Sequence, residues 1–285
     1  MSAASHDLIL PARRTTGAVF ASPHSGRDYA VTLGRSTDLP DHAIRSSEDA
    51  FVDLLWAEVP RHGAPLLAAR APRAFIDLNR APDELDPALV EGAPRRAPNP
   101  RIASGLGVIP RVVAGGRPIR PGKMSMDEAE GRIRAWWRPY HACLRQLMDE
   151  ARAGFGEALL VDCHSMPREA IETPSRGRRP DIVLGDRFGA ATVPALIEGV
   201  EAAFRDAGFT VARNAPFAGA YIVQTYGGPA RGRHAVQVEI DRSIYMDEAA
   251  VEPHGGFDEV RERLSGVAAR ICDLMRPRVA SVAAE

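Results

Sequence analysis

The sequence has few cysteines, few aromatic residues and almost no net charge. Its 285 residues include only three cysteines, and no C-x-x-C pair that would indicate a thiolate zinc site or a redox motif. Aromatic residues make up 6% of the chain, and 36 basic and 37 acidic residues leave a formal net charge of -1. This balance argues against a nucleic-acid partner. Because the cysteines form no such pair, any metal ligands must be histidines and carboxylates, which suit Zn²⁺ and several other divalent ions.

Long hydrophobic runs are also missing. The first residues contain only a short apolar run, residues 8–10, which is too short for the core of a secretory signal. No stretch approaches the length of a membrane span. The odd and widely spread cysteines suit a reducing compartment. We therefore expect a cytoplasmic protein with no membrane partner, and these features leave its oligomeric state open.

Short apolar runs rich in branched residues alternate with longer amphipathic stretches. This pattern is typical of helices packed on a largely parallel or mixed sheet, and the chain is long enough to bury a core. The sequence predicts an α/β protein with one domain over residues 1–285. The predicted strands are 19–22, 65–68, 75–78, 158–163, 181–184, 210–212, 221–225 and 235–240. The predicted helices are 51–59 with its start at 46–49, 125–148 with a bend at Pro139, 192–206 and 257–275.

One segment, residues 81–123, interrupts this alternation. It is dense in proline, glycine and arginine and contains only brief apolar pieces. Excursions of this length are often functional when they are structured, and a solvated loop is the equally weighted alternative.

Two histidines follow predicted strands in similar contexts. His24 lies in Ser-Pro-His-Ser-Gly after strand 19–22, and His164 lies in Val-Asp-Cys-His-Ser at the tip of strand 158–163. Open α/β sheets bind ligands beyond the carboxyl ends of their strands, so the two imidazoles can converge on one ion. A single histidine of this kind is more often an ordinary buried or exposed side chain. The matching pair favours a metal site.

A three-ligand site with an open position for water needs a carboxylate as well. The candidates are Asp28, Glu48 and Asp49. Asp28 is near His24 in sequence, but at a spacing that need not aim both at one metal. Glu48 and Asp49 also suit the start of a helix, where complementing the helix dipole would account for them.

Side chains next to the histidines are less suited to chemistry. Asp162 is assigned to the strand face opposite His164, and therefore to a structural or hydrogen-bonding role. Cys163 is adjacent to His164, and neighbouring strand residues make a poor nucleophile and base pair because they point to opposite faces. Ser25 lacks the G-x-S-x-G context of an exposed serine nucleophile.

Cationic and amide side chains end the predicted strand 75–78. Asn79 and Arg80 can grip a carboxylate, because the planar guanidinium matches its two oxygens. Arg73 is a candidate to polarise a carbonyl or to bind a second carboxylate. The competing interpretation is that these are surface arginines paired with acids.

Predicted strand 235–240 alternates so that its apolar residues share one face, while Gln237 and Glu239 share the other. A carboxylate in so apolar a strand is costly unless it is paired or employed. Glu239 is the candidate general base, which would take a proton from metal-activated water and pass it to the leaving amine. The alternative is a salt bridge to Arg242 or another arginine.

Seven motifs, taken in chain order, resemble the N-formylglutamate amidohydrolase family over nearly the whole chain. They are SPHSGRDY, RSSEDAFVD, RAFIDLNR, GLGVIPRVV, VDCHSMP, RPDIVLGDRFG and HAVQVEIDRSIYMDE. The resemblance implies hydrolysis of N-formyl-L-glutamate to formate and L-glutamate, typically as a late step of histidine degradation. It also implies a small acyl amino acid as the partner and one divalent metal ion, Zn²⁺ first, as the cofactor.

This family is in turn distantly similar to zinc carboxypeptidases and acyl amino acid deacylases. That similarity implies a three-layer α/β/α sandwich with a central mixed, largely parallel sheet. In those enzymes a histidine, an Asn-Arg pair, a second histidine and a late glutamate follow one another, as His24, Asn79-Arg80, His164 and Glu239 do here. The carboxypeptidase relatives place a ligand glutamate three residues after the first histidine, where this chain has Arg27.

The third ligand must therefore come from elsewhere. Asp49 is the first choice and Glu48 the second, because both fall in the family's acidic motif. The full prediction places the metal on His24, Asp49 and His164. Two other interpretations remain: a metal-dependent hydrolase of another N-acyl amino acid, and a metal-stabilised binding module without catalysis.

Overall fold

The computed structural model describes residues 4–34, 37–94, 99–171 and 179–277, and its centre is a seven-stranded sheet. The strands are β1 (His6–Ile9), β2 (Ala18–Ser22), β3 (Leu66–Ala69), β4 (Ala158–Met166), β5 (Ile182–Gly185), β6 (Val211–Arg213) and β7 (Arg233–Asp241). Their order across the sheet is β1-β3-β2-β4-β7-β5-β6. Two short strands, β8 (Met246–Asp247) and β9 (Glu252–Pro253), form a separate antiparallel pair.

The sheet is mixed but mostly parallel. The pairs β3-β2, β2-β4, β4-β7 and β5-β6 are parallel, whereas β1-β3 and β5-β7 are antiparallel. Every residue of β2 and β4 is buried. Continuous burial is expected where helices cover both faces of a parallel sheet, because neither face meets water.

Nine α-helices occur among the described residues. They are α1 (Tyr29–Thr32), α2 (Asp41–Ile44), α3 (Val52–Leu55), α4 (Pro100–Ala103), α5 (Met126–Arg132), α6 (Arg138–Phe155), α7 (Pro194–Asp206), α8 (Tyr221–Tyr226) and α9 (Phe257–Leu274). Buried residues of α3, α7 and α9 pack with one face of the sheet, and those of α6 and α8 pack with the other. The predicted three-layer α/β/α arrangement with a mixed, largely parallel sheet is confirmed. No helix of the described residues is long and apolar enough to cross a bilayer.

Two predicted strands are wrong. Residues 75–78 form a turn in which the amides of Phe75 and Ile76 bond to the Pro72 carbonyl, at 2.9 and 3.3 Å. Residues 221–225 belong to helix α8. Both segments are short apolar runs that the core buries, and a run of that length does not by itself distinguish a strand from a buried helical turn.

The predicted helix start at residues 46–49 is also wrong. Residues Arg45–Ser47 form a 3-10 turn, and α3 begins only at Val52, after Phe51 in the left-handed region with φ 65°. Glu48 and Asp49 are therefore not first-turn acids of a helix. Their carboxylates are free to serve elsewhere, which bears on the choice of the third ligand.

Where the sequence predicts a bend at Pro139, the structure has a π-helical turn just before that residue. Residues Ile133–Trp137 form this turn between α5 and α6, and Pro139 is the second residue of α6. Proline lacks an amide donor and fits best in the first turn of a helix. The helical run continues to Phe155, beyond the predicted end at residue 148.

The excursion at residues 81–123 is structured over its described parts, 81–94 and 99–123. It contains α4, and several of its apolar residues, among them Leu89, Val108 and Ile119, are buried in the core on the α6 side of the sheet. The Val108 carbonyl accepts a hydrogen bond from the Asp77 amide at 2.8 Å. The segment is therefore fastened beside the loop that carries Asn79 and Arg80.

Candidate active site

The carboxyl ends of the central parallel strands bring the predicted residues together. His24 lies two residues beyond the end of β2, and His164 lies near the end of β4. Across the β4-β7 pair, His164 is in register with Glu239. Neighbouring residues in register share a face of the sheet. The side chains of His24, His164 and Glu239 therefore meet at one edge of the sheet, on the face that α6 and α8 cover.

His24, Asp49 and His164 form a compact buried group. One ligand atom from each lies within 4.8 Å of the others. The Asp49 Oδ2 atom is 2.9 Å from the His164 Nδ1 atom and 3.3 Å from the His24 Nδ1 atom. All three residues are at most 2% exposed. The two imidazoles thus present the same nitrogen, Nδ1, to the same carboxylate oxygen.

The other nitrogen of each imidazole is held by a carboxylate. His24 Nε2 lies 2.8 Å from Asp77 Oδ1, and His164 Nε2 lies 3.0 Å from Asp162 Oδ2. A carboxylate next to Nε2 favours the tautomer that carries its proton there. The lone pair of Nδ1 is then available in both rings. Histidines oriented in this way are typical metal ligands.

The Asp49 carboxylate is anchored in the same manner. Arg242 Nη2 donates a hydrogen bond to Asp49 Oδ1 at 2.9 Å, which leaves Oδ2 facing the imidazoles. Burial acts to raise the pKa of Asp49, but its contacts with His164 and His24 hold that pKa well below the ordinary value. Each member of the group therefore has one polar atom fastened and one directed to the common centre.

The polar atoms at this centre fit a divalent cation. The Nδ1 atom of His24 is buried and, although Asp49 Oδ2 lies 3.3 Å away, it makes no hydrogen bond to any of the described residues, a rare situation for a buried polar atom. Two imidazole nitrogens and one carboxylate oxygen match the donor set of three-ligand zinc sites that keep a position open. A cation among the three groups would satisfy the orphan nitrogen.

The other carboxylates considered as third ligands lie elsewhere. Glu48 Oε2 accepts hydrogen bonds from Tyr29 and from Arg45, both at 3.0 Å. Asp28 Oδ2 pairs with Arg70 at 2.8 Å. Among the three acids weighed from the sequence, Asp49 is the one that faces the two histidines.

The assignment of Asp162 to the strand face opposite His164 is wrong. The two residues are separated by one position, so strand alternation places them on the same face, and they are in contact. Asp162 nevertheless serves as the acceptor for Nε2 of His164, on the side of the ring away from Asp49. Cys163 does point to the opposite face, where it is buried in the core with α3, α7 and α9.

Glu239 lies beside the group of His24, Asp49 and His164 and lines the same cavity. It is 7% exposed, and its Oε1 atom accepts a hydrogen bond from Gln237 at 2.7 Å. Burial raises the pKa of this carboxyl to about 7; nearby His164 lowers it and Asp49 raises it. The alternative salt bridge to Arg242 is not formed, because Arg242 is engaged by Asp49 and Ser165. A carboxyl with a pKa near neutrality is suited to accept and return a proton.

Asn79 and Arg80 both line the cavity, but the side chain of Asn79 is already engaged by protein groups. The Asn79 amide donates towards Asp162 Oδ2 at 3.5 Å, and its oxygen accepts from the Ile222 amide at 2.8 Å. Arg80 is 6% exposed and lines the cavity. Arg73 also lines the cavity, and its Nε atom donates to Asp77 at 3.0 Å. Of the two arginines, Arg80 is therefore the one with fewer protein partners for its guanidinium.

All seven predicted site residues line or border one cavity of about 330 Å³. This volume is at the lower end of the range for small-molecule sites. Part of its wall comes from the segment 216–220 and part from the excursion, through Arg101 and Leu106. The cavity therefore combines the group of His24, Asp49 and His164 with Glu239 and several arginines, in a space that suits a small anionic molecule.

Three contributors were missed in the sequence. Asp77 and Gln237 were seen only as motif residues, and Arg242 only as a possible partner of Glu239. Asp77 fixes His24, Arg242 fixes Asp49, and Gln237 joins Glu239 to the Ala220 amide at 3.1 Å. The available signal was their place inside the motifs, two or three residues from a predicted site residue. Nothing local identified which atom each would hold.

Comparison with known proteins agrees with this geometry. A family model described as N-formylglutamate amidohydrolase matches residues 16–246, which include all seven predicted site residues. N-formylglutamate deformylase of Pseudomonas putida is 35% identical over 240 residues, covering 81% of this chain and 82% of that protein. The deformylase of Pseudomonas aeruginosa is 33% identical over 244 residues, covering 81% and 83%.

A solved structure extends the likeness to three dimensions. The crystal structure of N-formylglutamate amidohydrolase from Ralstonia eutropha JMP134 aligns with a TM-score of 0.88 at 36% identity, covering 96% of this chain and 99% of that one. Sequence and fold thus agree along nearly the whole length. The chain is an amidohydrolase and belongs to the N-formylglutamate amidohydrolase family.

Proposed function

We propose that this protein hydrolyses N-formyl-L-glutamate to formate and L-glutamate with one divalent metal ion, for which Zn²⁺ is the first candidate. The observation that carries the proposal is the buried group of His24, Asp49 and His164 with Glu239 beside it, inside a cavity lined by arginines. The curated relatives bearing the name N-formylglutamate deformylase support the substrate.

The roles of the residues follow from their positions. When bound, the ion would polarise the formyl carbonyl and make the attacking water more acidic. Glu239 takes a proton from that water as it adds to the formyl carbon. It then passes the proton to the amide nitrogen as the C–N bond breaks, so that formate and the free amine leave.

The arginines provide the positive charge that an acidic substrate requires. Arg80 binds a substrate carboxylate from its buried position, and Asn79 holds the adjoining loop against His164. Arg73 lies 4.0 Å from Asp49 through its Nη1 atom and stabilises the oxygen that becomes negative in the transition state. These groups are fixed by Asp77 and by the core before substrate enters, which is how enzymes lower the cost of reorganisation.

A panel of N-formyl amino acids tests the substrate. We expect kcat/KM for formate release to be at least about tenfold higher for N-formylglutamate than for N-formylmethionine, because a charged contact adds to the binding of the acidic side chain. Initial rates are measured with zinc-loaded protein by a formate assay. Equal rates for the two substrates would refute the assignment.

Replacing Asp77 with asparagine tests how His24 is oriented. Asparagine keeps an oxygen for His24 but removes the negative charge that favours the Nε2 proton, so we expect zinc affinity to fall about 10- to 100-fold. Affinity is measured by competition with a chromogenic chelator. Asp86→Asn is the matched control, since Asp86 is buried and pairs with Arg111 at 2.8 Å outside the cavity. Unchanged affinity in Asp77→Asn would contradict the role.

The cellular setting is part of the same proposal. We place the reaction in the cytoplasm, as a late step of histidine degradation. The free state of Cys143, Cys163 and Cys272 supports a reducing compartment.

A further inference from the structure

Four arginines line the cavity, and two of them are neutralised by its own acids. Arg242 pairs with Asp49 at 2.9 Å, and Arg73 pairs with Asp77 at 3.0 Å. Their guanidiniums therefore have fewer free N–H donors for a substrate carboxylate, and Arg73 keeps only the role at the reacting oxygen proposed above. The remaining two, Arg80 and Arg101, are the cations to examine for substrate binding.

Arg80 is a buried cation with incomplete partners. Its Nε atom is buried and makes no hydrogen bond to the described residues, and the Asp77 carboxylate is 4.0 Å away. Burial lowers the pKa of Arg80, Asp77 raises it, and the charge of Arg101 lowers it again. The guanidiniums of Arg80 and Arg101 line the same cavity, where their positive charges repel each other. A pair of neighbouring guanidiniums is stabilised when an anion binds between or beside them.

Arg101 comes from the excursion and occupies the outer part of the cavity. It is exposed, whereas Arg80 is 6% exposed, yet both line the same space. Among the described residues, no carboxylate forms an ion pair with Arg101. Glu84 of the excursion also acts electrostatically on Arg80, but its Oε1 atom is engaged by Asn99 Nδ2 at 3.2 Å.

The backbone that carries Arg101 is well supported. Asn99 caps α4 by accepting a hydrogen bond from the Arg101 amide at 3.0 Å. Through its amide Asn99 also holds Glu84, and the Glu84 carbonyl accepts from the Val108 amide at 2.8 Å. The Val108 carbonyl in turn accepts a hydrogen bond from the amide of Asp77, the residue that holds His24. The position of Arg101 relative to Arg80 is thus set by a chain of hydrogen bonds.

We propose that Arg101 is a specificity-determining residue that binds the side-chain carboxylate of the substrate, while the deeper Arg80 binds the α-carboxylate. The inference rests on the proposed function and deepens it. It names the substrate class as N-formyl amino acids with two carboxylates and assigns the second carboxylate to a residue of the excursion. Neutral N-formyl amino acids lack the group that Arg101 binds and therefore gain nothing from it.

The test compares N-formylglutamate with N-formylglutamine, which has nearly the same shape but a neutral side chain. In Arg101→Ala, we expect kcat/KM for N-formylglutamate to fall about 10- to 100-fold, the effect of losing one charge-assisted contact. The value for N-formylglutamine should change less than about threefold, as for a surface substitution without a partner. Arg117→Ala is the matched control, because Arg117 is an exposed arginine of the same excursion and does not line the cavity.

An equal loss with both substrates, or no loss with either, would overturn the assignment to the side-chain carboxylate. A binding measurement separates this from the proposed reaction. By calorimetry, glutarate, with two carboxylates, should bind the wild type more tightly than butyrate, with one, and Arg101→Ala should remove most of that difference. The binding measurement tests Arg101 even if the wild type proves inactive on N-formylglutamate. Such inactivity would refute the proposed function and leave the role of Arg101 to the binding result. A glutarate preference that persists in Arg101→Ala would refute the role of Arg101.

Discussion

Replacing His164 with alanine is expected to abolish stoichiometric zinc binding and to reduce formate release below about 1% of wild type. His164 Nδ1 is 2.9 Å from Asp49 Oδ2, and the ring is held from behind by Asp162. Removing the imidazole leaves one nitrogen and one carboxylate, too few to retain the ion firmly. Metal content by elemental analysis and formate release are measured on the same sample.

The control for this experiment is another histidine substitution. His62 is partly buried, bonds to Ser265 at 2.9 Å and does not line the cavity. His62→Ala should keep both its zinc and its activity. Circular dichroism of His164→Ala establishes that the variant is folded, and His24→Ala provides an independent removal of the partner nitrogen. Full activity in a folded His164→Ala protein would exclude the proposed metal group from the mechanism.

Replacing Glu239 with glutamine is expected to lower kcat by about 10²- to 10⁴-fold while zinc content stays at the wild-type level. Glutamine has almost the same shape and can still accept the hydrogen bond from Gln237 at Oε1. It cannot take a proton from water near neutral pH. The separation of metal retention from turnover distinguishes a proton carrier from a ligand. Glu201→Gln, a buried acid on α7 that pairs with Arg205 and Arg213, is the matched control.

The pH profile sharpens this test. Glu239 must be ionised to act as a base, so kcat/KM should fall as pH drops through its pKa. Burial raises that pKa to about 7, and a cation bound beside it favours the charged form, so the acidic limb should lie at or below about pH 7. In Glu239→Gln the residual activity should lose this limb. A variant that keeps both normal turnover and the limb would remove Glu239 from the mechanism.

The fold class was predictable because it depends on patterns that neighbouring residues carry. The runs of β2, β4 and β7 are apolar on both faces or alternate strictly, and both patterns identified the strands within a few residues. Residues 75–78 and 221–225 carry equally apolar runs but form a turn and a helix. Their form was decided by tertiary packing, because a short apolar run can be buried as a turn or a helix as well as a strand.

The candidate site was predictable to the extent that it lies at strand ends. His24, His164 and Glu239 follow or end buried strands, so a parallel sheet brings them to one edge. The choice of Asp49 over Glu48 was weaker. The two acids are adjacent in sequence. After the 3-10 turn Arg45–Ser47 the backbone of Glu48 is extended, and neighbouring side chains of an extended segment point in different directions, one to Arg45 and the other to the histidines.

By itself, the sequence determined the α/β class, the strand-end histidines, the glutamate on the polar face of its strand and the family motifs. All of these are read from residues close together in the chain. Only the tertiary structure decided which atom faces which: Asp77 on His24, Asp162 on His164, Arg242 on Asp49, and Arg101 beside Arg80. These contacts join distant segments, and their energies depend on burial and orientation that no local pattern specifies. The edge of the sheet that carries the candidate site was therefore predictable from the sequence, while the contacts that orient its side chains depend on the tertiary structure.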